Sequence, residues 1–358
     1  MARLIADTPG GTYPVHIGRG VLKELRSTMR RLEPTGAVVI ADRSVRPVAQ
    51  AVAKQLKSAR VRSATYFIDG GERSKTLAGL GAVLTFLERQ RIDRGGCLVA
   101  VGGGTVGDLA GMAAATWLRG IRYVEVPTTL LAMVDSSIGG KTGINGRRMK
   151  NAIGAFWQPS AVISDIGCLD TLPRNRYREA FAEVVKYAVA MDRTLFDTLH
   201  RESVRLMERD ADALEDVIYS CATAKALVVA RDERDRGPRA ILNYGHTAAH
   251  ALEAASGFRI SHGRAVAFGM RVAANIASAL GLCSDRLVDA QDELLAMYGL
   301  RDEHPRVSLE RMMAAIPTDK KATRRRVAWV LPRRIGHAVI GQNVPARTVR
   351  RVVRRAIA

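Results

Sequence analysis

The first half of the chain alternates between short apolar segments and longer segments with apolar residues at helical spacing. AVVIAD (37–42) and CLVAVGGG (97–104) have the length and composition of buried strands. Helical patterns follow them in VRPVAQAVAKQLKS (45–58) and TVGDLAGMAAATWL (105–118). A strand followed by a helix, repeated in this way, predicts a parallel sheet that is covered by helices.

In the second half the pattern becomes mainly helical. NRYREAFAEVVKYAVAM (175–191) and GRAVAFGMRVAANIASALGL (263–282) carry apolar residues at helical spacing, and strand signals are few. Pro173 disfavours helix in the residue before it and therefore marks the change. We predict an α/β domain at 1–171 and a mainly α-helical domain at 172–358.

The overall composition is that of a globular protein. The chain has 358 residues, of which 47% are hydrophobic and 25% are charged, which allows two ordinary domains with substantial cores. No apolar run reaches the ~18 residues of a membrane-spanning helix, and the N-terminus lacks the pattern of a secretory signal. The four cysteines include no CxxC pair, so a reducing, cytoplasmic compartment is expected.

The chain is strongly basic, with a net charge of +20, a balance that can mark a nucleic-acid-binding protein. Near the C-terminus, however, Val349, Val352, Val353 and Ile357 follow helical spacing while arginines fill the other face. This pattern predicts a solvated amphipathic helix. Few aromatic residues accompany the basic runs, so stacking on single strands is not indicated. We predict neither a nucleic-acid nor a membrane partner.

A glycine-rich turn follows one of the predicted strands. Gly102, Gly104 and Gly107 fit the pattern G-x-G-x-x-G between a strand and a helix. Glycine lets the backbone approach a phosphate, and a helix N-terminus favours negative charge, although such a turn can also be purely structural. Because two strand–helix units precede this turn, two acids are alternative ribose-binding residues: Glu125, about 20 residues further on, and Asp42, which ends an earlier strand.

The segment VDSSIGGKTGINGRRMKN (134–151) is polar, rich in glycine and placed between a strand and an apolar run. It brings Asp135, Lys141, Lys150 and Asn151 close together in sequence. Lysines beside glycine turns suit phosphate or carboxylate groups. A solvated surface loop would have the same composition, so both interpretations stay open.

Three of the seven histidines lie in ILNYGHTAAHALEAASGFRISHGRAV (241–266). His246 and His250 are four residues apart, so on a helix both could reach one metal ion. His262 begins a further helical pattern, which is also a suitable place for a ligand. Spacing alone does not decide which of the three histidines would bind.

Glu183 is the candidate carboxylate for the same ion. It lies in the apolar segment AFAEVVKYAV, on a predicted buried helical face, where a lone carboxylate is costly unless it is paired or bound to a metal. A salt bridge to Lys186 or Lys225 is the alternative. The residues alone therefore leave three histidines and one glutamate for a site that normally keeps one coordination position open.

Eleven short motifs, taken in order, resemble those of 3-dehydroquinate synthases across nearly the whole chain. They are YPVHIGRG, DGGERSKTL, GGGTVGDLAGMAAATWLRG, VPTTLLAMVDSSIGGKTGIN, KNAIGAFWQP, LDTLP, AEVVKYA, KALVVARDE, RAILNYGHTAAHALEA, HGRAVAFGM and DKK. The resemblance implies a Rossmann-like α/β NAD-binding domain followed by a mainly α-helical metal-binding domain. It also implies conversion of 3-deoxy-D-arabino-heptulosonate 7-phosphate to 3-dehydroquinate and phosphate, a step of the shikimate pathway.

In this family, bound NAD oxidises a substrate hydroxyl, phosphate is eliminated, NADH returns the hydride, and an aldol step closes the ring. The resemblance assigns a divalent metal, Zn²⁺ or Co²⁺, to Glu183, His246 and His262, and it places His250 on the substrate side. A metal with an open position suits this chemistry, because it polarises first a hydroxyl and then a carbonyl.

The resemblance also implies binding roles for polar residues along the chain. Substrate contacts are implied for Asp135, Lys141, Asn151, Lys186, Lys225, Arg239, Asn243, His250, Lys320 and Lys321. Contacts with NAD are implied for Asp42, Glu72, Lys75, Gly104, Thr105, Asp108, Thr128, Thr129, Lys141 and Lys150. Arg119 would reach the phosphate from a partner subunit, which implies a homodimer. The many cations suit a substrate with both a carboxylate and a phosphate.

The chain departs from the family pattern at two charged positions, because Arg264 and Asp235 both stand where Glu is usual. The alternatives are aminodehydroquinate synthase or another sugar phosphate cyclase, such as a 2-deoxy-scyllo-inosose or 2-epi-5-epi-valiolone synthase. A glycerol-type metal-dependent dehydrogenase would lack GGKTG and would accumulate NADH. A basic nucleic-acid-binding protein that had lost catalysis would also have lost metal ligands, and none is missing.

Overall fold

The computed structural model describes residues 1–147, 149–301, 305–316 and 328–358. The chain forms two compact units. The first consists of Met1–Pro173 together with Ala211–Arg234, and the second of Arg174–Asp210 together with Asp235–Ala358. The segment Arg174–Asp210 thus belongs to the second unit, and the long helix that follows it belongs to the first unit again. The functional division at residues 171 and 172 stays a prediction.

A seven-stranded sheet forms the centre of the first unit, and a separate two-stranded hairpin accompanies it. The strands of this unit are β1 (Ala2–Thr8), β2 (Gly11–Gly18), β3 (Ala37–Asp42), β4 (Ser63–Ile68), β5 (Cys97–Gly102), β6 (Arg122–Pro127), β7 (Lys141–Ile144), β8 (Ile153–Phe156) and β9 (Ala161–Asp165). The sheet has the order β1-β2-β9-β6-β5-β3-β4. All its neighbouring strands are parallel except β1 and β2. The predicted parallel sheet is confirmed.

Helices cover both faces of this sheet, which explains why its central strands are apolar throughout. The helices of the first unit are α1 (Glu24–Leu32), α2 (Arg46–Ser58), α3 (Leu77–Arg89), α4 (Gly104–Thr116) and α8 (Ala211–Arg231). Val39 in β3 packs in a cluster with residues of α1 and α2, whereas its neighbour Ile40 packs with α3 and α4 on the opposite face. Burying such a side chain contributes about 1.5–3 kcal/mol.

The sheet contains a point at which the direction of strand addition reverses. From β3 the chain adds β4 on one side, and then β5 on the other side of β3. Ligands of open α/β sheets bind beyond the carboxyl ends of the strands at such a point. Asp42 ends β3 and Gly102 ends β5, so both predicted cofactor-binding turns lie at this edge.

The second unit is mainly helical, as predicted. Its helices are α5 (Arg174–Ala190), α6 (Arg193–Arg201), α7 (Ser203–Met207), α9 (His246–Ala255), α10 (His262–Ala279), α11 (Asp285–Met297), α12 (Leu309–Ala315) and α13 (Ala346–Ile357), and its strands are β10 (Ala328–Arg334) and β11 (His337–Asn343). Helix α10 packs against α5 and α9. Within the described ranges, no helix has both the length and the apolarity required to span a membrane.

The C-terminal helix has the amphipathic character that its spacing predicts. Val349, Val352 and Val353 are buried, and arginines occupy the exposed face of α13. Three hairpins were not predicted: β1 with β2, β7 with β8, and β10 with β11. The β10–β11 pair contains two register shifts, and β7–β8 pairs glycine with glycine, so neither has the regular alternation that signals a strand.

Candidate functional site

Three residues from three different helices of the second unit form a compact group of side chains that could hold a metal ion. Glu183, in α5, has only 1% of its surface exposed. The Nε2 atoms of His246 and His262 each lie 3.3 Å from Glu183 Oε1. One ligand atom from each residue lies within 4.8 Å of the others. Two imidazole nitrogens and one carboxylate oxygen suit zinc, which in catalytic sites takes three protein ligands and keeps one position open.

Glycines allow the three helices to approach closely enough for this geometry. Gly245 precedes α9 with φ of 80°, and a Cβ at that position would lie 2.8 Å from the backbone nitrogen of Met270 in α10. A Cβ on Gly263 would lie 2.2 Å from the carbonyl oxygen of Glu179 in α5. Because larger residues would separate the backbones, these two contacts set the distance from His246 and His262 to Glu183.

The charges of Glu183 and His262 are set by burial and by their neighbours. Burial tends to raise the pKa of Glu183, but the ammonium group of Lys186 and the adjacent histidines lower it well below its usual value. Burial tends to lower the pKa of His262, but hydrogen bonds to Glu183 and Glu253 raise it to about 10. The carboxylate is therefore ionised at neutral pH, and His262 must lose a proton when it binds a metal.

His250 lies outside this group of three. Its side chain is exposed, and its ring centroid is 5.5 Å from that of His246 in an edge-on arrangement. The two histidines therefore face the same region, as their spacing of four residues predicts. His262, sixteen residues after His246, completes the group with Glu183 instead.

The glycine turn after β5 has close contacts that only glycine permits. A Cβ on Gly104 would lie 2.7 Å from Ser136 Oγ, and one on Gly107 would lie 2.8 Å from Glu125 Oε2. Glu125 is buried beneath α4, near the hydroxyl of Tyr123 at 3.3 Å. Burial, reinforced by the charge of a nearby aspartate, raises its pKa to about 8. A carboxyl group in this position is inaccessible to a ribose.

The alternative ribose-binding acid, Asp42, lies at the carboxyl end of β3 and remains partly exposed. Its side chain accepts hydrogen bonds of 2.8 Å from the backbone nitrogen and the hydroxyl of Ser44. A Cβ on Gly70 would collide with this carboxylate at 1.9 Å, so Asp42 lies directly against the DGG segment. Of the two acids, Asp42 is the one that a cofactor at the strand ends can reach.

A buried lysine joins several residues that the sequence assigns to cofactor or substrate. Lys75 is 2% exposed; it forms an ion pair with Asp108 in α4 and donates to Asn151 Oδ1. Burial raises the pKa of Asp108 despite this lysine. Asn145 extends the network, since it donates to Glu72 at 2.6 Å and accepts from the backbone nitrogen of Asn151 at 2.9 Å. The sequence reasoning missed Asn145.

The turn after β6 lies beside the glycine turn. The backbone nitrogen of Thr128 donates to Gly102 O at 2.9 Å, and a Cβ on Gly103 would lie 3.1 Å from Thr129 Cγ2. Thr105, in the first turn of α4, is partly exposed. The remaining predicted cofactor-binding residues in this unit are exposed lysines of the β7–β8 segment, Lys141 and Lys150.

A π-helical turn positions a further pair of predicted substrate-binding residues in the first unit. Asp135 lies in the π-helix Ala132–Ser136, a rare element that is frequent at functional sites. Lys225, in α8, is 6% exposed and contacts Asp135 Oδ1 at 2.9 Å and its carbonyl oxygen at 2.7 Å. The lysine that pairs with Glu183 is therefore Lys186, three residues along the same helix, and Lys225 has a different carboxylate.

Two other predicted substrate-binding residues lie in the turn Pro238–Asn243 of the second unit. Arg239 is 1% exposed, which is rare for an arginine and requires compensation of its charge. The side chain of Asn243 donates to Ala240 O at 3.0 Å. Lys320 and Lys321 lie outside the described residues.

Arg119 and the two departures from the family pattern occupy exposed or turn positions. Arg119 is exposed in a turn where Leu118 and Arg119 both have positive φ, 49° and 68°. Arg264 is half-exposed, and its Nε lies 3.6 Å from Glu179 Oε1, so it pairs one helical turn away from Glu183. Asp235 also has positive φ, 56°.

Comparisons with known proteins give a consistent result. The family models described as 3-dehydroquinate synthase N-terminal and C-terminal match residues 65–179 and 180–322. The 3-dehydroquinate synthase of Pelobacter propionicus is 43% identical over 345 residues, which cover 95% of this chain and 96% of that protein.

Two solved structures are also similar along the whole chain. The first is 2-deoxy-scyllo-inosose synthase complexed with carbaglucose-6-phosphate, NAD⁺ and Co²⁺, with a TM-score of 0.89, 26% identity, and 99% of this chain and 100% of that chain covered. The second is 2-epi-5-epi-valiolone synthase from Streptomyces hygroscopicus subsp. jinggangensis 5008 with NAD⁺ and Zn²⁺ bound. Its TM-score is 0.88 at 26% identity, with 99% of each chain covered.

Proposed function

Because the chain belongs to the 3-dehydroquinate synthase family, we propose that it converts 3-deoxy-D-arabino-heptulosonate 7-phosphate to 3-dehydroquinate and phosphate. It is a lyase that uses NAD and a divalent metal, Zn²⁺ or Co²⁺. This places it in the shikimate pathway, which leads to chorismate and the aromatic amino acids. The greater identity to a 3-dehydroquinate synthase, 43% against 26% for two sister cyclases, favours this substrate over theirs.

The observation that carries the proposal is the group formed by Glu183, His246 and His262. Their ligand atoms lie within 4.8 Å of one another, and the set consists of two nitrogens and one oxygen. Three protein ligands with an open position are typical of catalytic zinc rather than structural zinc. Glu183, His246 and His262 would hold the metal, which when bound would supply a Lewis acid for a substrate oxygen. Lys186, at the second oxygen of Glu183, holds this ligand in its ionised form.

The proposed NAD site is the edge of the sheet where β3 and β5 end. The glycine turn begins α4 without a side-chain cap, and a helix N-terminus favours the negative charge of a phosphate. Asp42 suits a ribose hydroxyl, since it is partly exposed at the end of β3. NAD supplies a hydride acceptor that is regenerated within each turnover. Lys75 and Asp108 form a buried ion pair that keeps this edge in one arrangement.

Cations of low exposure support a doubly anionic substrate. In the first unit Lys225 is 6% exposed, and in the second Lys186 and Arg239 are 2% and 1% exposed. Desolvated cations bind carboxylate and phosphate more strongly than exposed ones, because water screens them less. The proposed role of Arg239 and Asn243 is to bind the substrate carboxylate, which the sister cyclases' sugar phosphates lack.

We further propose that the enzyme is a cytoplasmic homodimer. The four cysteines, all within the described ranges, form no disulfide, as is usual in a reducing compartment. Arg119 is exposed on a turn of unusual backbone geometry, which suits a residue offered to a neighbouring subunit. Mixing inactive Arg119→Ala and Glu183→Gln subunits tests this: if Arg119 acts across the interface, mixed dimers regain part of the activity.

The catalytic proposal is tested with purified, metal-loaded protein, NAD and the heptulosonate phosphate. Phosphate release and absorbance at 340 nm are followed together, and dehydroquinate is quantified at the end. We expect phosphate and dehydroquinate in equal amounts and no net NADH. Accumulation of NADH without phosphate would instead indicate a dehydrogenase, and turnover of glucose 6-phosphate in its place would indicate a sister cyclase.

Two variants of the same helix separate the metal role from general damage. Glu183→Gln removes a proposed ligand, and we expect it to lose both metal and activity. Glu179→Gln changes a carboxylate one turn earlier, which pairs with Arg264 at the half-exposed side, and we expect it to retain both. Equal loss in the two variants would contradict the ligand assignment.

A further inference from the structure

A second carboxylate, Glu253, lies behind one of the proposed metal ligands. It belongs to α9, seven residues after His246 and therefore two turns along the same helix face. It is 6% exposed, and its Oε1 lies 3.5 Å from Nδ1 of His262. The other ring nitrogen of His262, Nε2, faces Glu183 Oε1 at 3.3 Å. The imidazole of His262 is thus held between two carboxylates.

The two ring nitrogens of a ligating histidine have opposite requirements. The nitrogen that binds the metal must present a lone pair. The other nitrogen must therefore carry the proton, and its N–H group donates a hydrogen bond to an acceptor. His246 meets this requirement through the backbone, since its Nδ1 lies 3.2 Å from Tyr244 O. His262 has the carboxylate of Glu253 at the equivalent nitrogen.

We propose that Glu253 is a positioning residue of the metal site: it accepts the Nδ1 proton of His262, fixes the tautomer with Nε2 free for the metal, and adds negative charge behind this ligand. It is not itself a ligand, because the group of ligand atoms within 4.8 Å consists of Glu183, His246 and His262. A partner at Nδ1 makes the imidazole a stronger donor to the metal. The inference rests on the metal ligands proposed above.

The two histidines differ in what a mutation can change. No side-chain substitution removes the carbonyl of Tyr244 from His246, whereas a single substitution removes the acceptor of His262. The metal affinity of the site should therefore fall when Glu253 is replaced. A carboxylate also forms a stronger hydrogen bond with the imidazole N–H group than a neutral carbonyl does, since hydrogen bonds to charged groups are about twice as strong as neutral ones.

The test measures the affinity of the full-length protein for Zn²⁺ alone, by competition with a chromophoric chelator. Glu253→Ala is expected to bind zinc about 10–100-fold more weakly than the wild type, the usual loss for a partner of a ligating histidine. Glu253→Gln keeps an acceptor oxygen without the charge and should lie between the two. With Co²⁺, the visible absorption bands of the alanine variant should also shift, because the orientation of His262 changes.

Glu179→Gln is the matched control, because it neutralises a carboxylate near the site that touches neither histidine nitrogen. We expect zinc affinity in this variant to remain within about twofold of the wild type, since exposed ion pairs contribute little. Wild-type affinity in both Glu253 variants would overturn the role of Glu253 while leaving the ligand assignment intact. No zinc binding by the wild type would overturn both the assignment and this inference.

A measurement on the wild type keeps the inference testable if the variants do not fold. In the zinc-loaded protein with ¹⁵N-labelled histidine, long-range ¹H–¹⁵N spectra distinguish the two tautomers. We expect His262 to carry its proton on Nδ1, with the downfield proton shift of a hydrogen bond to a carboxylate. A proton on Nε2, or a freely exchanging proton on Nδ1, would overturn the proposal.

Discussion

The buried carboxyl group of Glu125 makes the stability of the first unit depend on pH in a direction opposite to that of most acids. It lies in β6 under Gly107 of α4, and the hydroxyl oxygen of Tyr123 lies 3.3 Å from its Oε1. Burial raises its pKa from 4.5 to about 8. A carboxyl group whose pKa is raised by folding binds its proton more tightly in the folded chain than in the unfolded chain. Stability is therefore lost as pH rises between these two values.

The size of the effect follows from that difference. One pKa unit corresponds to about 1.4 kcal/mol, so a rise from 4.5 to about 8 represents about 5 kcal/mol above pH 8. At pH 7 only part of the interval has been crossed, and the destabilisation is about 3 kcal/mol. The isosteric change Glu125→Gln removes the ionisation while retaining an oxygen for Tyr123. We expect this variant to be more stable than the wild type at pH 9, and nearly equal to it at pH 5.

Urea unfolding followed by tryptophan fluorescence provides the measurement. Two of the three tryptophans lie in the first unit, and Tyr123 donates to the carbonyl of Trp157 at 3.0 Å, so the signal reports the region of the mutation. The exposed acid Glu88, on α3, provides a control, and Glu88→Gln should leave the pH profile unchanged. A Glu125→Gln variant that is less stable than the wild type at pH 9 would refute the reasoning, because the carboxylate would then be ionised and favourably paired.

Three further predictions follow from the sites. Zinc binding at pH 7 should release about one proton, because the pKa of His262 is about 10 in the metal-free protein; calorimetry in two buffers of different ionisation enthalpy measures it, and identical heats would contradict it. Lys75→Met should weaken NADH binding by about 10–100-fold, since a hydrogen bond to a charged group contributes about 1.5–3 kcal/mol; fluorescence titration tests this, and unchanged affinity would exclude Lys75 from the cofactor site. Arg264→Glu should alter the free energy of unfolding by less than about 1 kcal/mol, because its contact with Glu179 is half-exposed; a larger loss in urea unfolding would show that Arg264 has a structural role.

The parts of the fold that local periodicity determines could be predicted from the sequence. AVVIAD became β3 with the predicted bounds, and the helix after the glycine turn became α4. Two of the missed hairpins have a physical reason, since β7–β8 pairs glycine with glycine and β10–β11 contains register shifts. The β1–β2 hairpin has an unbroken register, and its strands could have been predicted. The return of α8 to the first unit also could not be predicted, because packing of one amphipathic helix against another surface leaves no signal in its own spacing.

Spacing alone predicts the residue types of the site but not their grouping, whereas the family resemblance names the three residues that the structure brings together. Spacing of four residues draws attention to His246 and His250, yet the structure groups His262, and not His250, with His246 and Glu183. The grouping depends on how closely α5, α9 and α10 pack. Glycines that are far apart in sequence allow this close packing. Glu253 was missed although a signal existed, since a buried acid two turns after a candidate ligand lies on the same helix face.

The alternatives posed for Glu183, an ion pair with a lysine or a bond to a metal, are not exclusive in the folded protein. Its two carboxylate oxygens have different neighbours: Oε2 contacts the ammonium group of Lys186, and Oε1 faces the Nε2 atoms of His246 and His262. The lysine keeps the carboxylate ionised in a buried position, which would otherwise favour the neutral acid. An ionised carboxylate is what a divalent metal requires. The ion pair with Lys186, three residues further along α5, therefore keeps Glu183 in the charge state that the proposed role as a metal ligand requires.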